Sequence, residues 1–518
     1  MPTILFKVFA NLYKDSVTLM QLGANLRGRA GVAQASCLMA TPANLAQLRD
    51  ADLSIEMQAG ASDLLVVVRG EPDACEEAIA AAEALLHSAG GPGAGGGDAA
   101  AFSLPLTSIA LGVAHAPEAD LALISVPGDY AAAEAMKALA LGLHVMLFSD
   151  NVSMAEERGI KTLARARDLL VMGPDCGTAI INGVPLGFAN VVRRGGIGLV
   201  AASGTGLQEV TCRIHNLGGG ISQALGTGGR DLKEEIGGIT MLQGLAALAA
   251  DRQTHVIVLI SKPPAPAIAR QIEAAAGAAG KPVVVHFLGA TPQRLPAGVV
   301  VATSLQHAAD VAVALARGEP PPMALASPAA AAVAAVDRWA ADMAPPQRSV
   351  RALFTGGTFC YEAQLVFIAR GLPCRSNAPA TAALRFDGHD GGHVFLDLGD
   401  DDYTRGRPHP MIDPSLRDAA VRTEGADPQT AAILFDVVLG YGSHDNPAGG
   451  LARALADAQR EARAHGRTLA MIGHVCGTDG DPQDKAAQVR QLEAAGALIV
   501  GSNVEAAMLA AHLAGRRG

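Results

Sequence analysis

The residues best able to do chemistry in this chain sit in four glycine-rich turns, and the chemistry they suit is anion binding. AlaSerGlyThrGly at 202–206 lies between an aliphatic strand and a helix beginning near Leu207. Small residues there bare backbone N–H groups at a helix N-terminus, where phosphate or carboxylate is favoured. Ser203, Gly204 and Thr205 are its candidate ligands, and an N-capped βα turn is the plainer alternative. ThrGlyGlyThr at 355–358 mimics the first turn, so Gly356, Gly357 and Thr358 form a second candidate anion site. GlyThrGlyGlyArgAsp at 226–231 offers Gly228 and Gly229 for close backbone approach and the planar fork of Arg230 for an anion. CysGlyThrAspGlyAspPro at 476–482 is the fourth turn, with Gly477 and Thr478 as candidates. Asp479 and Asp481 there resemble a metal- or hydroxyl-binding loop. The closing bidentate glutamate of a calcium loop is missing.

Two further segments carry polar groups. ValMetGlyProAspCysGly at 171–177 ends a strand in a Gly-Pro turn, making Gly173, Asp175 and Cys176 ligand candidates. No histidine stands near Cys176 in sequence, so it reads as a contact rather than a nucleophile. LeuGlyAspAspAspTyrThrArgGlyArgProHisProMetIleAsp at 398–413 is the densest polar segment and contains Arg405, Arg407 and His409. A solvated loop is the bland reading, and a binding role the sharper one. The HxxxH spacing of His389 and His393 is weak ground for a metal, and no metal ligand is assigned.

Aliphatic runs must position these turns. Residues 64–68, 121–126, 144–148, 169–172 and 197–201 read as buried strands, as do 256–260, 282–287, 432–438 and 497–500. They are apolar almost throughout, which predicts parallel strands covered on both faces. Helical spacing at 131–142, 204–217, 266–279 and 483–495 predicts doubly wound α/β units. A Gly-rich stretch at 90–98 and a Pro-rich one at about 318–348 break the composition. The expected domains are 1–89, 102–192, 193–318 and 349–518. Residues 297–309 and 495–507 echo each other, as do 202–209 and 355–362, so the last two domains read as a flavodoxin-like pair.

Composition limits the partners. The 518 residues hold 40 basic and 50 acidic side chains, a net charge of −10, so a uniformly basic nucleic-acid face is absent. No apolar run reaches the roughly 18 residues of a membrane span. Seven cysteines without a CxxC pair, and no visible signal segment, fit reduced thiols and a cytoplasmic location. Neither nucleic acid nor membrane is an expected partner.

The turns at 171–177, 196–209 and 226–231 follow one another as the corresponding turns do in the α subunit of succinyl-CoA synthetase. Residues about 105–318 resemble that subunit. SerValProGlyAspTyrAlaAlaAlaGluAla, MetLeuPheSerAspAsnVal, IleSerLysProPro (260–264) and GlyArgProHisProMetIleAspProSerLeuArg (406–417) resemble the FdrA family, along essentially the whole chain. The implied fold is α/β: a CoA-binding, Rossmann-like N-terminal half, then two flavodoxin-like, doubly wound parallel-sheet domains of CoA-ligase type. In the synthetase family a histidine after the Gly-x-Thr-Ala-Pro strand end becomes phosphorylated. The matching stretch here, 289–300, contains none, and His286 and His307 lie outside it. AsnLeuTyrLysAspSer (11–16) stands where the Gly-rich CoA loop is expected, and no ATP-grasp portion is evident.

The FdrA resemblance implies one subunit of an oxamate carbamoyltransferase of purine and allantoin catabolism. Its partners would be two unrelated companion subunits, or further copies of itself. Its substrates would be a small carboxylate, oxamate or oxalurate, with phosphate or carbamoyl phosphate. On this reading Arg230, Arg407 and His409 are the catalytic candidates, Arg405 adds charge for binding, and no cofactor is assigned. One alternative is an acyl-CoA synthetase of the NDP-forming, succinyl-CoA ligase type, or a CoA-binding subunit, with CoA or nucleotide as cofactor. Another is a non-catalytic scaffold.

Overall fold

A computed structural model describes residues 3–51, 53, 59–88, 106–290, 296–323, 325–386, 388, 392–404 and 407–517. Its strands fall into four sheets. The first holds β1 (Thr3–Phe9), β2 (Val32–Met39) and β3 (Leu64–Gly70), antiparallel in the order β1-β3-β2. The aliphatic run 64–68, expected in a parallel sheet, is therefore the central antiparallel strand. It is apolar throughout because both faces are covered. Leu64, Val66 and Val68 pack on helices Ser16–Arg27 and Pro72–Ser88, while Leu65 and Val67 pack against Leu48 and Leu53. An uninterrupted apolar run reports double coverage, not strand direction.

The second sheet is short and parallel: β4 (Leu121–Ile124), β5 (His144–Leu147) and β6 (Val171–Met172), in that order. The third contains β7 (Thr178–Ile181), β8 (Val184–Gly187), β9 (Arg194–Ala201), β10 (Ile221–Gly226), β11 (Val256–Ser261), β12 (Val283–Phe287) and β13 (Val299–Val301). Its order is β13-β12-β11-β9-β10-β7-β8. Read from β10, the five parallel strands run 2-1-3-4-5, the flavodoxin-like order. The β7–β8 hairpin adds antiparallel to β10 through Ala224 and Ile180. Residues 178–187 thus join the third sheet, although they precede the break at 192/193. Glycine at 226 permits this, since a Cβ there would lie 2.5 Å from the Thr178 carbonyl oxygen.

The fourth sheet is parallel: β14 (Ser349–Phe354), β15 (Cys374–Ser376), β16 (His393–Asp397), β17 (Thr430–Val438), β18 (Ala470–Cys476) and β19 (Leu498–Val500). The order β15-β16-β14-β17-β18-β19 is that of the third sheet with one strand inserted beside β14. The sequence echoes occupy equivalent places: 202–209 and 355–362 follow β9 and β14, and 297–309 and 495–507 carry the last strand and helix of each sheet.

One apolar core joins the third and fourth sheets. Leu207, Val210, Ala308 and Ala312 from one side share it with Phe359, Ala363, Ala507 and Ala510 from the other. Alanine and glycine on these helices allow the close approach that aromatics would prevent. Buried polar contacts fix the register, among them Glu209 Oε2 to His474 Nε2 at 2.7 Å and the Leu305 N–H donating to Glu362 Oε1 at 2.9 Å. Among the described residues, no helix is long and apolar enough to cross a membrane.

Candidate functional site

The two helix starts that sequence singled out meet across the domain boundary. Ser203 caps helix Gly204–Asn216, its hydroxyl accepting from the Gly206 N–H at 3.0 Å. The same oxygen lies 2.5 Å from Thr358 Oγ1 in the first turn of helix Gly357–Ala369. A Cβ on Gly356 would stand 3.0 Å from Thr205 Cγ2, and one on Gly206 3.3 Å from Thr358 Cγ2. Gly204, Thr205, Gly357 and Thr358 thus sit together. Their N–H groups make no hydrogen bond among the described residues. Two positive helix ends in contact repel each other, so negative charge nearby is favoured.

Part of that charge comes from residues sequence reasoning missed. Asp436 in β17 accepts from the Thr355 N–H at 2.7 Å, the Thr355 hydroxyl at 2.9 Å and the Gly356 N–H at 2.9 Å. The Gly356 N–H, expected to hold an outside anion, is therefore already bonded. Burial pushes the Asp436 carboxyl up, and the Arg417 guanidinium, which donates to the Asp436 carbonyl at 2.8 Å, opposes the rise. Asp397, the last residue of β16, lies against Gly357, where a Cβ would come within 2.4 Å of its Oδ2. Lys262, just beyond β11, adds a cation from the other domain and holds its Nζ 5.2 Å from the Tyr361 ring centre. Strand-end position is the signal that finds Asp397 and Lys262, because ligands of such sheets bind beyond the carboxyl ends of strands.

A second polar group opens beside it. Asp175 has a left-handed backbone with φ 56°, and its exposed side chain faces Asp150 and Asp401. Crowding around the carboxyl, then those two charges, push it up to about 7, against the pull of Arg230. Gly229 borders this mouth, 3.9 Å from Asp175 Oδ2 as measured to a Cβ placed on it. Arg230 is partly committed: it donates to the Val152 carbonyl at 2.7 Å and pairs with the fully buried Glu157 at 2.9 Å. Glu157, Lys161 and Asp231 continue that network inward, tying the second sheet's helix Met154–Ala166 to the 226–231 turn.

Several expected ligands turn out to be structural. The Cys176 thiol is buried and pushed up to about 12, and it lies 3.5 Å from the carbonyls of Thr178 and Gly226. A Cβ on Gly173 would be 2.2 Å from the Leu147 oxygen, and one on Gly228 2.1 Å from that of Pro174. Both glycines serve backbone-on-backbone packing. The Thr478 hydroxyl donates to the Val191 carbonyl at 2.6 Å, its N–H to Asp481 at 2.8 Å, and the Gly477 carbonyl accepts from Lys485 at 2.8 Å. The fourth turn is thus a junction between domains rather than an open loop. Burial lowers His409 to about 4, and its Nδ1 accepts from the Met411 N–H at 3.2 Å. His409 is neutral near pH 7 and supplies no positive charge. Arg407 is exposed, and Arg405 lies outside the described residues, as does His389.

Comparison with known proteins bears on this geometry. A CoA-ligase family model matches residues 353–513, a CoA-binding-domain model 193–289, and an AllF heavy-metal-associated-domain model 1–101. The CoA-binding match falls on the third sheet, not on 102–192, where that label was expected. The protein YahF of Escherichia coli is 42% identical over 508 residues, 96% of each chain. The ADP-forming sulfoacetate-CoA ligase subunit SauD of Bilophila wadsworthia is 26% identical over 30% of this chain and 54% of its own. The ADP-forming succinate–CoA ligase subunit alpha 2 of Archaeoglobus fulgidus is 26% identical over 33% and 59%. This chain spans little more than half the length of those ligase subunits. The dinucleotide-forming acetyl-coenzyme A synthetase 1 of Ca. Korarchaeum cryptofilum aligns with a TM-score of 0.32 at 16% identity, over 77% of this chain and 83% of its own.

These matches imply two groups whose fit the residues decide. A heavy metal in the first domain would need soft, accessible donors. Cys37 and Cys75 are both buried in its core, and burial raises both thiols, Cys37 to about 12. Among the described residues no cluster of three or more His, Cys, Asp or Glu suits a metal. That donor set does not fit a metal. For CoA, the strand-end glycines Gly173 and Gly228 are closed by backbone, so they do not fit a cofactor arm.

Proposed function

Because the chain belongs to the FdrA family of the CoA-ligase superfamily, we propose that it is a carbamoyltransferase subunit. It interconverts oxalurate plus phosphate with oxamate plus carbamoyl phosphate, and it works with two unrelated companion subunits. The AllF match in the first domain supports a place in allantoin breakdown. The observation that carries the reading is the meeting of two helix starts, with unbonded N–H groups on both, in a chain whose 289–300 segment has no histidine.

The chemistry follows from charge. Phosphate sits on the N–H groups of Gly204 and Thr205, with the Ser203 hydroxyl beside it. The N–H groups of Gly357 and Thr358 face the carbonyl oxygen that gains negative charge as phosphate adds to the ureido carbon. Lys262 attracts the substrate carboxylate, and Arg230 and Arg407 add positive potential at the mouth. A carbamoyl transfer of this kind uses no phosphohistidine. The test is phosphate-dependent oxalurate cleavage by the full chain with its companion subunits, and absence of cleavage refutes the reading.

A second reading, an NDP-forming acyl-CoA ligase subunit, is favoured by the CoA-ligase match over 353–513 and the CoA-ligase relatives. Labelling with γ-phosphate-labelled nucleotide decides it. A labelled histidine would establish this reading, and its absence under turnover would remove it.

A further inference from the structure

Two carboxyls stand at the start of helix Gly357–Ala369, and their partners differ. Asp436 is fully bonded through Thr355 and Gly356, which precede the helix, and it leaves the N–H groups of Gly357 and Thr358 open. Asp397 is only 7% exposed. Its Oδ1 accepts from the Gly399 N–H at 3.0 Å. Its Oδ2 accepts no hydrogen bond among the described residues and rests on Gly357, beside the unbonded N–H groups. That oxygen is left free to meet a ligand seated on those N–H groups.

Resting on the carbamoyl-transfer reading, we propose that Asp397 is the catalytic proton-transfer residue of this site. In the phosphorolytic direction a phosphate oxygen bonds to the ureido carbon of oxalurate. The C–N bond breaks, and its electron pair goes to the nitrogen that becomes the oxamate amide. That nitrogen takes the proton of neutral Asp397 Oδ2–H. The proton of hydrogen phosphate then passes to Asp397, so the carboxyl ends as it began. No oxidant, metal or covalent intermediate is required.

The surroundings suit that cycle. Burial pushes the Asp397 carboxyl up to about 7, against the attraction of Lys262 and the Gly399 N–H, and Asp400 and Asp436 add to the rise. Cys360 on the adjacent helix is a buried neutral thiol, and His409, which a Cβ on Gly399 would touch, is neutral near pH 7. A group poised near the working pH exchanges protons in both directions.

The test uses the full chain with its companion subunits. Asp397→Asn should lower kcat for phosphate-dependent oxalurate cleavage by about 100-fold or more, with a much smaller change in KM for phosphate. Asp397→Glu should restore part of the loss. Neutral Asp397 is the donor, so kcat should fall as pH rises through about 7. Lys262→Met should move that fall to higher pH. Wild-type cleavage with an Asp397→Asn variant of unchanged rate and pH profile overturns this proposal and leaves the carbamoyl reading standing. Sulfate, which does not titrate near neutrality, separates the two in the other direction. Wild type should bind it more weakly at pH 8 than at pH 6, and Asp397→Asn equally at both. That result in a complex without oxalurate cleavage refutes carbamoyl transfer but keeps Asp397 as the titrating group of the anion site. Equal pH dependence in both proteins refutes the assignment.

Discussion

Glu209 and His474 illustrate how a single residue of this chain gains meaning only from a distant one. Glu209 lies in the second turn of the 204–216 helix and His474 in β18, and their side chains meet at 2.7 Å in the buried domain boundary. Burial pushes the Glu209 carboxyl up, but the attraction and hydrogen bond of His474, with Lys485 and Arg213, carry it below its ordinary 4.5. A carboxyl held low when folded adds stability above its unfolded value, and loses that stability as pH falls through the folded one. Glu209→Ala removes the partner of a buried imidazole and should cost about 3–5 kcal/mol at pH 7. The readout is the apparent Tm, which should fall sharply at pH 7. The gap to wild type should narrow below about pH 4.5. An equal gap at pH 7 and pH 4 would refute the account.

At the scale of elements, the two helix starts hold each other as well as any ligand. Ser203→Ala removes the oxygen that caps Gly206 and reaches Thr358, and should cost about 1 kcal/mol from the cap alone. Thr358→Val keeps the shape and loses the hydroxyl. A double-mutant cycle in apparent Tm should show coupling of about 0.5–1 kcal/mol, and strict additivity would mean the contact is inert. The strands and turns behind this geometry were legible. Runs such as 197–201 and 256–260 are apolar on both faces, and the SerGlyThrGly and GlyGlyThr spacings mark helix starts. What fills the second start was not. Asp436 is some 80 positions from Gly356, and nothing local in ThrGlyGlyThr says that a carboxylate already occupies it. For the same reason the Thr478 loop looked open: its partner, the Val191 carbonyl, lies 287 positions away in the segment before β9. Strand direction in residues 3–70 was also hidden, because burial on both faces erases the alternation that marks an antiparallel strand.

Across the whole molecule, the first domain touches loops of two others beside the site. Tyr13 donates its hydroxyl to the Ser125 carbonyl at 3.3 Å, just past β4. Arg27, at the end of the first helix, pairs with Asp413 at 2.7 Å, and Asp413 closes the same segment that carries His409. Burial lowers the Arg27 guanidinium, Asp413 counters that, and the charge of Arg407 adds to the lowering. The pair therefore balances a cation that its surroundings disfavour. Removing Asp413 leaves Arg27 facing Arg407 without that carboxylate. The side chains keep 18% and 11% exposure, so the loss should be roughly 1–3 kcal/mol, below that of a fully buried pair. Asp413→Ala should speed hydrogen exchange through the Ser16–Arg27 helix and leave β9 to β13 unchanged. Arg27→Asp should do the same, and Arg27→Asp with Asp413→Arg should recover most of the protection. Protection unchanged in both single variants would mean that the first domain is held by its apolar contacts alone. A recovery confined to the double variant would show that one ion pair couples the first domain to the segment flanking the site.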